Sequence, residues 1–533
     1  MISVGRRRRP RALNPRIRLL RIWMASSAIV LLLGFLWTLA TPLGAAPDEP
    51  TQIVKAAAVV RGEIVGTSAT ARPTAFVTVR VPASFATDGN LATCYAGRDT
   101  VPAGCAPQLS DQSKLVQANT YVGRNPPLYY LLVGAPTLLW HSNFAVYLMR
   151  LLSVAWSALL LGLALAVAAV ASRKRLLVVA VAIVVTPMVV FLTAVVNPSG
   201  LEIAAAVCTW TSGLVLLEHG RHPPPELVVS CGASASVLVL CGGLDPLWLA
   251  LVALTLVALC PRIVIDLWHD RLARRWTGVV AACGVLAVAF IVGAHTLVVA
   301  PVGKPVAPHS STIAVVGEAL GRTGTLLSQS VGVFGWLDTP SPVGVLVGWW
   351  MAVAVLGTLG MVTSRRHHAG VLAALLVAAV ALPTALMVSQ AHHDGLVWQA
   401  RDGMALYVGI PLVAAFVASR VRDTLGRDTQ AAFDHAASEQ GAGASEGLGK
   451  RALSRLTNLL IAGVAIGQLV DFAWALRRYT VGLGGTVNPL AVVPGGWSPP
   501  APTLVLLVGA ALAATVYGWW LHQLAAVAEP LRG

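Results

Sequence analysis

"IWMASSAIVLLLGFLWTLAT", Ile22 to Thr41, is an apolar run without a charge, and "PLGAAPDEPTQIVKAAAVVRG", Pro42 to Gly62, follows at once. An uncharged run of about twenty residues is long enough to cross the roughly 30 Å hydrocarbon core of a bilayer as a helix. The flank before it, "VGRRRRPRALNPRIRLLR", is strongly basic and fits a cytoplasmic end. "LGAAP" has the small residues of a signal-peptidase site, but the run exceeds the roughly 7–15 residues of a signal-peptide core, so it reads as a retained anchor. Two adjacent carboxylates, Asp48 and Glu49, therefore stand where the chain leaves the membrane on its far side.

The rest of the chain repeats the pattern. Of its 533 residues 56% are hydrophobic and 11% charged, with a mean hydropathy of +0.73, more apolar surface than a water-soluble fold can hide. Eleven further runs read as crossings: Phe144–Ala171, Leu176–Val196, Leu201–Leu217, Leu227–Gly243, Pro246–Cys260, Thr277–Ala300, Val343–Val362, Gly370–Ser389, Gly403–Ala418, Leu456–Leu476 and Leu504–Leu521. Leu128–Trp140 is short and carries Pro136. If it crossed, "RKR" at 173–175 and the basic stretches 262–275 and 365–366 would all lie outside. Read instead as a helix along the outer interface, it leaves 25 of the 38 Lys and Arg on the cytoplasmic side. The expectation is an all-α polytopic membrane protein of about twelve transmembrane helices in the plasma (inner) membrane, with both termini cytoplasmic. The short pair 227–243 and 246–260 satisfies parity equally well as a re-entrant hairpin. The net charge of +15 is then a topology signal and not a nucleic-acid footprint.

The expected organisation is a basic cytoplasmic arm (1–21) and a transmembrane core (22–419). Within the core lie a first outer loop at 43–143, with juxtamembrane helices, and a second at 301–342. A polar, small-residue cytoplasmic linker (420–455) and a C-terminal transmembrane pair (456–533) follow. Cys94 and Cys105, in the first outer loop, are candidates for a disulfide on the oxidising side of the membrane. The other five cysteines fall in apolar runs.

Candidate chemistry gathers on the outer face. After Pro50, Ile53, Ala56, Ala57 and Val60 follow helical spacing, with Asp48, Gln52 and Lys55 on another face. Asp48 or Glu49 then either caps this helix or serves as a general base or metal-binding carboxylate. Arg124 precedes the double Pro of "YVGRNPPLYYLL", and Trp336 and Asp338 sit in "VGVFGWLDTPSP", where Trp336 also suits an interface anchor. Arg150 lies about two turns into an apolar helix, either snorkelling to the interface or functional. Arg401 stands beside Asp402 at the mouth of a crossing, as a local pair or as a partner for a lipid phosphate. "AHHDG" (His392, His393, Asp394) is a weak metal candidate. No Walker loop, dinucleotide glycine fingerprint or Gly-x-Ser-x-Gly elbow occurs.

Five stretches, "PDEPTQIVKAAAVVRGEI", "RNPPLYYLLVG", "NPSGLEIAAAV", "VGVFGWLDTPSP" and "WQARDGMALYVGIP", resemble in that order a family of multi-spanning membrane proteins common in actinobacteria. That family is in turn similar to the GT-C glycosyltransferases, such as protein O-mannosyltransferases and lipid A aminoarabinose transferases. The resemblance runs from about residue 20 to about residue 415. It implies a polyprenyl-phosphate sugar donor, a reaction on the extracytoplasmic face, and a first-loop carboxylate as catalytic base, which maps onto Asp48 with Glu49 as neighbour. Two departures stand out. Gln399-Ala400-Arg401-Asp402 replaces the usual Gln-Gly-Arg-Tyr, and Ser199 stands where an Asp is common.

The expected function is a membrane glycosyltransferase acting on an envelope glycan, lipid or protein, with membrane lipids and no nucleic acid as further partners. Arg401, Arg150 or Arg124 would hold the donor phosphate. No cofactor is required, and a divalent cation is compatible with the scheme. The rival readings are a lipid or glycolipid transporter and a non-catalytic envelope-assembly scaffold. Transport needs a polar path across the helices, and Arg150 and Glu202 are its only obvious intramembrane charges.

Overall fold

The computed structural model describes residues 15–527 apart from 69–75, 88–89, 173, 298–305, 308–309, 394 and 420–441. It is nearly all helix: α1 (Pro15–Ala40), α2 (Glu49–Val59), α3 (Leu128–Gly134), α4 (Asn143–Ala166), α5 (Arg175–Val184), α6 (Pro187–Thr193), α7 (Pro198–Leu216), α8 (Pro225–Cys241), α9 (Asp245–Leu259), α10 (Ile263–His269), α11 (Arg271–Gly293), α12 (Thr312–Gly321), α13 (Thr323–Gly332), α14 (Val343–Thr363), α15 (Arg366–Gln390), α16 (Ala400–Ser419), α17 (Ala442–Thr480) and α18 (Thr503–Val527). The long segment between α2 and α3 adds an antiparallel ribbon of β1 (Val77–Pro82) and β2 (Leu115–Thr120), registered Val77 opposite Thr120.

Each expected crossing coincides with a helix or a bent helix pair. Among the described residues nine helices are long and apolar enough to span a membrane, eleven if each bent pair counts as one span. The expected run not among them is α8, at 17 residues. Pro187 bends α5 against α6 by 61°. The break costs little, because the Thr186 hydroxyl accepts from Val189 N and caps the second segment.

Three boundaries differ from the sequence expectation. α11 stops at Gly293, ahead of the expected Ala300, and His295 beyond it has a φ of 54°. The basic arm is helical from Pro15, as the start of α1. The linker reading fails from Ala442 onward, where α17 begins, because Ala, Leu, Lys and Arg favour a helix that propagates outward from the apolar run behind it. The remainder of that segment, 420–441, lies outside the described residues.

Beneath the outer loop, Trp37 of α1 packs edge-on against Phe191 and Phe472 and, tilted, against Phe334, with centroids 5.0–5.7 Å apart. This cluster joins α1, α6, the 333–340 hairpin and α17, and the same core takes in α18, so the C-terminal helix pair packs into the main body. Arg478 at the end of α17 is fully buried. It donates to the carbonyls of Tyr95, Arg98 and Val101, whose loop is closed by the Cys94–Cys105 disulfide.

Candidate active site

Pro42 ends α1, and the chain turns through Gly44, whose φ of 75° suits glycine, to Asp48, whose φ of 65° does not suit an ordinary L-residue. That left-handed residue precedes α2 without capping it: the Asp48 carboxylate makes no hydrogen bond to the first turn. Its oxygens go elsewhere. The Tyr121 hydroxyl donates to Oδ1 at 2.5 Å, and the Arg401 guanidinium donates to Oδ2. Burial, and then the charge of Asp48, hold the Tyr121 phenol well above its ordinary range, so it remains a donor. Arg401 also reaches Pro47 O at 3.2 Å. The helix-cap role is thus not the one the geometry shows; the carboxylate is paired with Tyr121 and Arg401.

Glu49, one residue on, is turned inward. Its two oxygens accept from Arg150 Nε at 2.7 Å and Nη2 at 2.6 Å, and from Gly44 N at 2.9 Å and Val196 N at 3.0 Å. Arg150 spends its other donors on the carbonyls of Thr38, Thr41 and Pro42. Both side chains are 0% exposed. This corrects two expectations. Arg150 neither snorkels nor has an N–H left for a phosphate, and Glu49 is no second base but the anion of a buried lock joining α1, α4 and the end of α6.

Three other candidates also prove to be anchors. Arg124 donates to Ala294 O at 2.8 Å and Ser68 Oγ at 2.6 Å, holding the outer loop to the end of α11. Asp338 accepts from Arg478 at 3.0 Å and Gly97 N at 3.0 Å, and so ties the 333–340 hairpin to α17 and the disulfide loop. Trp336 donates to Gly44 O at 2.9 Å, which steadies the turn that carries Asp48. Asp402, the acid in place of the usual aromatic, accepts from Gln399 N at 2.9 Å and closes the first turn of α16. Its nearest approach to Arg401 is 3.9 Å, so Asp48 is the principal partner of that arginine.

Every residue of α2 is buried, its polar Gln52 and Lys55 included. Lys55 donates to Ile64 O and Gly123 O and lies 5.6 Å from the centroid of the Tyr130 ring; burial pushes its pKa down to about 7. Gln52 accepts from the Tyr130 hydroxyl at 2.5 Å. In "NPSG" the Asn197 side chain caps α7 by accepting from Ser199 N at 2.9 Å and donates to Pro47 O at 3.3 Å. Gly200 is needed there, because a Cβ would lie 2.6 Å from Leu192 O. Two residues further on, Glu202 is buried in α7, and Asp245 at the start of α9 is buried too and accepts from Gly242 N.

Tyr121 and Asp245 were not singled out from sequence. Tyr121 opens the "YVGRNPP" stretch and could have been read from it; Asp245 lies in "GGLDPLW", where nothing distinguishes it from a helix-capping residue. Among the described residues no group of three or more His, Cys, Asp and Glu is placed to hold a metal ion, and Asp394 of "AHHDG" lies outside them.

Beside the first turns of α16 is an apolar cavity of about 410 Å³. Its lining includes Leu327, Ser330, Trp349, Trp350, Met404 and Tyr407. Gln329, flanked by lining residues, accepts from Ala400 N at 2.9 Å, so the cavity wall and the arginine-bearing turn are directly joined.

No curated protein matches the chain. Among solved structures it is similar to the crystal structure of ArnT from Cupriavidus metallidurans bound to undecaprenyl phosphate, with a TM-score of 0.39 and 13% identity over 95% of this chain and 76% of that one. The family described as "Predicted membrane protein (DUF2142)" matches residues 31–401, and this multi-pass membrane protein, with its carboxylate and arginine meeting at the turn after α1, belongs to the DUF2142 family.

Proposed function

We propose that the protein is a membrane glycosyltransferase that moves a sugar from a polyprenyl-phosphate donor to a cell-envelope acceptor on the extracytoplasmic face. One observation carries the reading: Asp48 and Arg401, 353 residues apart, form an ion pair, and Met404, one turn after Arg401, lines an apolar cavity walled by α5, α13, α14, α15 and α16. That supplies a base, a cation for a phosphate and a slot for a lipid chain in one place.

In this scheme the polyprenyl chain occupies the apolar cavity and the phosphate lies against Arg401. Asp48 takes the proton of an acceptor hydroxyl, whose oxygen attacks the anomeric carbon. The bond from that carbon to the phosphate oxygen breaks, and Arg401 stabilises the charge left on the phosphate. The scheme needs no metal ion. Glu49 and Arg150 fix the turn from below, and Tyr121 keeps Oδ1 of Asp48 occupied so that Oδ2 is the oxygen that works.

The test is Asp48→Asn in the native host, with envelope glycans read by mass spectrometry and protein level checked in parallel. General-base removal should lower transfer by about 10²–10⁴-fold, seen as loss of one defined sugar at normal protein level. Glycans unchanged by Asp48→Asn but altered by deleting the gene would remove Asp48 as the base and favour transport or scaffolding.

A further inference from the structure

Two ion pairs lie side by side at neighbouring residues, and they are built in opposite ways. Glu49–Arg150 is sealed, with 0% exposure on both sides and every guanidinium N–H committed. In Asp48–Arg401 the carboxylate side chain is 23% exposed and the arginine 9%. Among the described residues Arg401 donates only to Asp48 and, at 3.2 Å, to Pro47 O, so the rest of its five N–H groups make no hydrogen bond within the protein.

The two partners also differ in freedom. Asp48 is held by its backbone: Gln52 N donates to Asp48 O at 3.0 Å, the Thr51 hydroxyl donates to the same oxygen at 2.8 Å, and Asn197 holds Pro47 O. Tyr121 fixes its other oxygen. Arg401 has a long side chain whose remaining contacts are weak. If the pair opens, it is the arginine that moves and the carboxylate that stays.

We propose that Asp48 is an internal competitor for the phosphate site at Arg401, so that the resting protein masks its own base until a lipid phosphate draws the arginine away. This rests on the reading of Arg401 as the phosphate-holding residue. A carboxylate and a phosphate both use the planar guanidinium fork, so one displaces the other. Donor binding then uncovers Asp48 Oδ2, which fixes the order as donor before deprotonation of the acceptor. After transfer Asp48 carries the acceptor's proton and no longer competes. Loss of that proton to solvent returns Arg401 to Asp48 and expels the polyprenyl phosphate.

A site competent only when an internal ion pair is open binds with an affinity reduced by the open fraction. The pair is partly exposed, so removing the competitor should tighten phosphate binding about tenfold (about 1.4 kcal/mol). The experiment titrates the full-length protein in nanodiscs with undecaprenyl phosphate, with undecaprenol as the control lacking phosphate. Asp48→Asn is the test variant, because Asn tolerates a φ of 65° better than most residues; Asp48→Ser is the second. Arg401→Gln is the negative control.

Tighter binding of undecaprenyl phosphate by both Asp48 variants, with loss in Arg401→Gln, is the expected result. Unchanged or weaker binding by the Asp48 variants, with wild type binding normally, overturns the competitor and leaves the transferase reading intact. A wild type that binds undecaprenyl phosphate no better than undecaprenol, or an Arg401→Gln that binds as well as wild type, overturns Arg401 as the phosphate site and both proposals with it.

Discussion

Replacing Glu49 by Gln should destabilise the fold around the turn after α1 while leaving the residues of the Asp48 site unchanged. The magnitude follows from the contacts. Arg150 makes five hydrogen bonds, two of them to Glu49, and Glu49 accepts two more from Gly44 N and Val196 N. Gln turns one acceptor into an NH2 group that faces donors on every side and leaves the guanidinium charge without a counter-ion in a fully buried site. Breaking one side of a buried ion pair costs about 3–5 kcal/mol, and Arg150→Met should cost about the same from the other side. The double variant Glu49→Gln with Arg150→Met holds no buried charge, so its loss should fall well short of the sum of the two singles. The assay is membrane yield together with thermal unfolding in detergent, followed by tryptophan fluorescence, with Asp48→Asn alongside. Both single variants should melt earlier and accumulate poorly, the double should recover part of the loss, and Asp48→Asn, whose pair is partly exposed, should lose clearly less than either single. A Glu49→Gln protein with wild-type yield and melting but no transfer activity would refute the reasoning and move Glu49 into the chemistry.

Tyr121→Phe removes the donor on Asp48 Oδ1, so kcat should fall about tenfold and stability should drop by no more than the roughly 1.5–3 kcal/mol of a hydrogen bond to a charged group. A wild-type kcat would show that the hydroxyl does not position the base. Lys55 gives a pH dependence: its pKa is about 7 when folded against 10.5 ordinarily, so between those values the unfolded chain holds a proton that the folded one lacks. Stability should therefore rise as the pH rises from about 7 to about 10.5, and Lys55→Met should flatten that rise; an unaltered slope in the variant would rule out Lys55 as its source.

Much of the framework was legible because hydropathy is a local property. Ile22–Thr41 or Leu504–Leu521 is apolar whatever the rest of the chain does, and a run of that length has few alternatives to a helix in a bilayer. The segment Leu128–Trp140 was likewise recognisable as too short to cross, and it folds as α3 and a 3-10 turn packed on α2. Boundaries that depend on continuation from a neighbour were less legible, as at Ala442, where small polar residues suggested a linker and the following apolar run extends a helix into them.

What the sequence determined by itself was the set of parts: the spans, the large outer loop, and a pair of carboxylates where the chain first emerges. Which charge meets which depends instead on how the helices dock. Asp48 and Glu49 are adjacent and look interchangeable in the sequence, yet a left-handed φ at Asp48 sends its carboxylate to Tyr121 and Arg401 while Glu49 turns down onto Arg150. Arg150 and Arg401 are likewise both arginines near outer helix ends. One became a sealed structural lock and the other an open partner of the candidate base, because the cost of a buried charge is settled by the groups that docking brings within reach, and docking joins residues 101 and 353 positions apart.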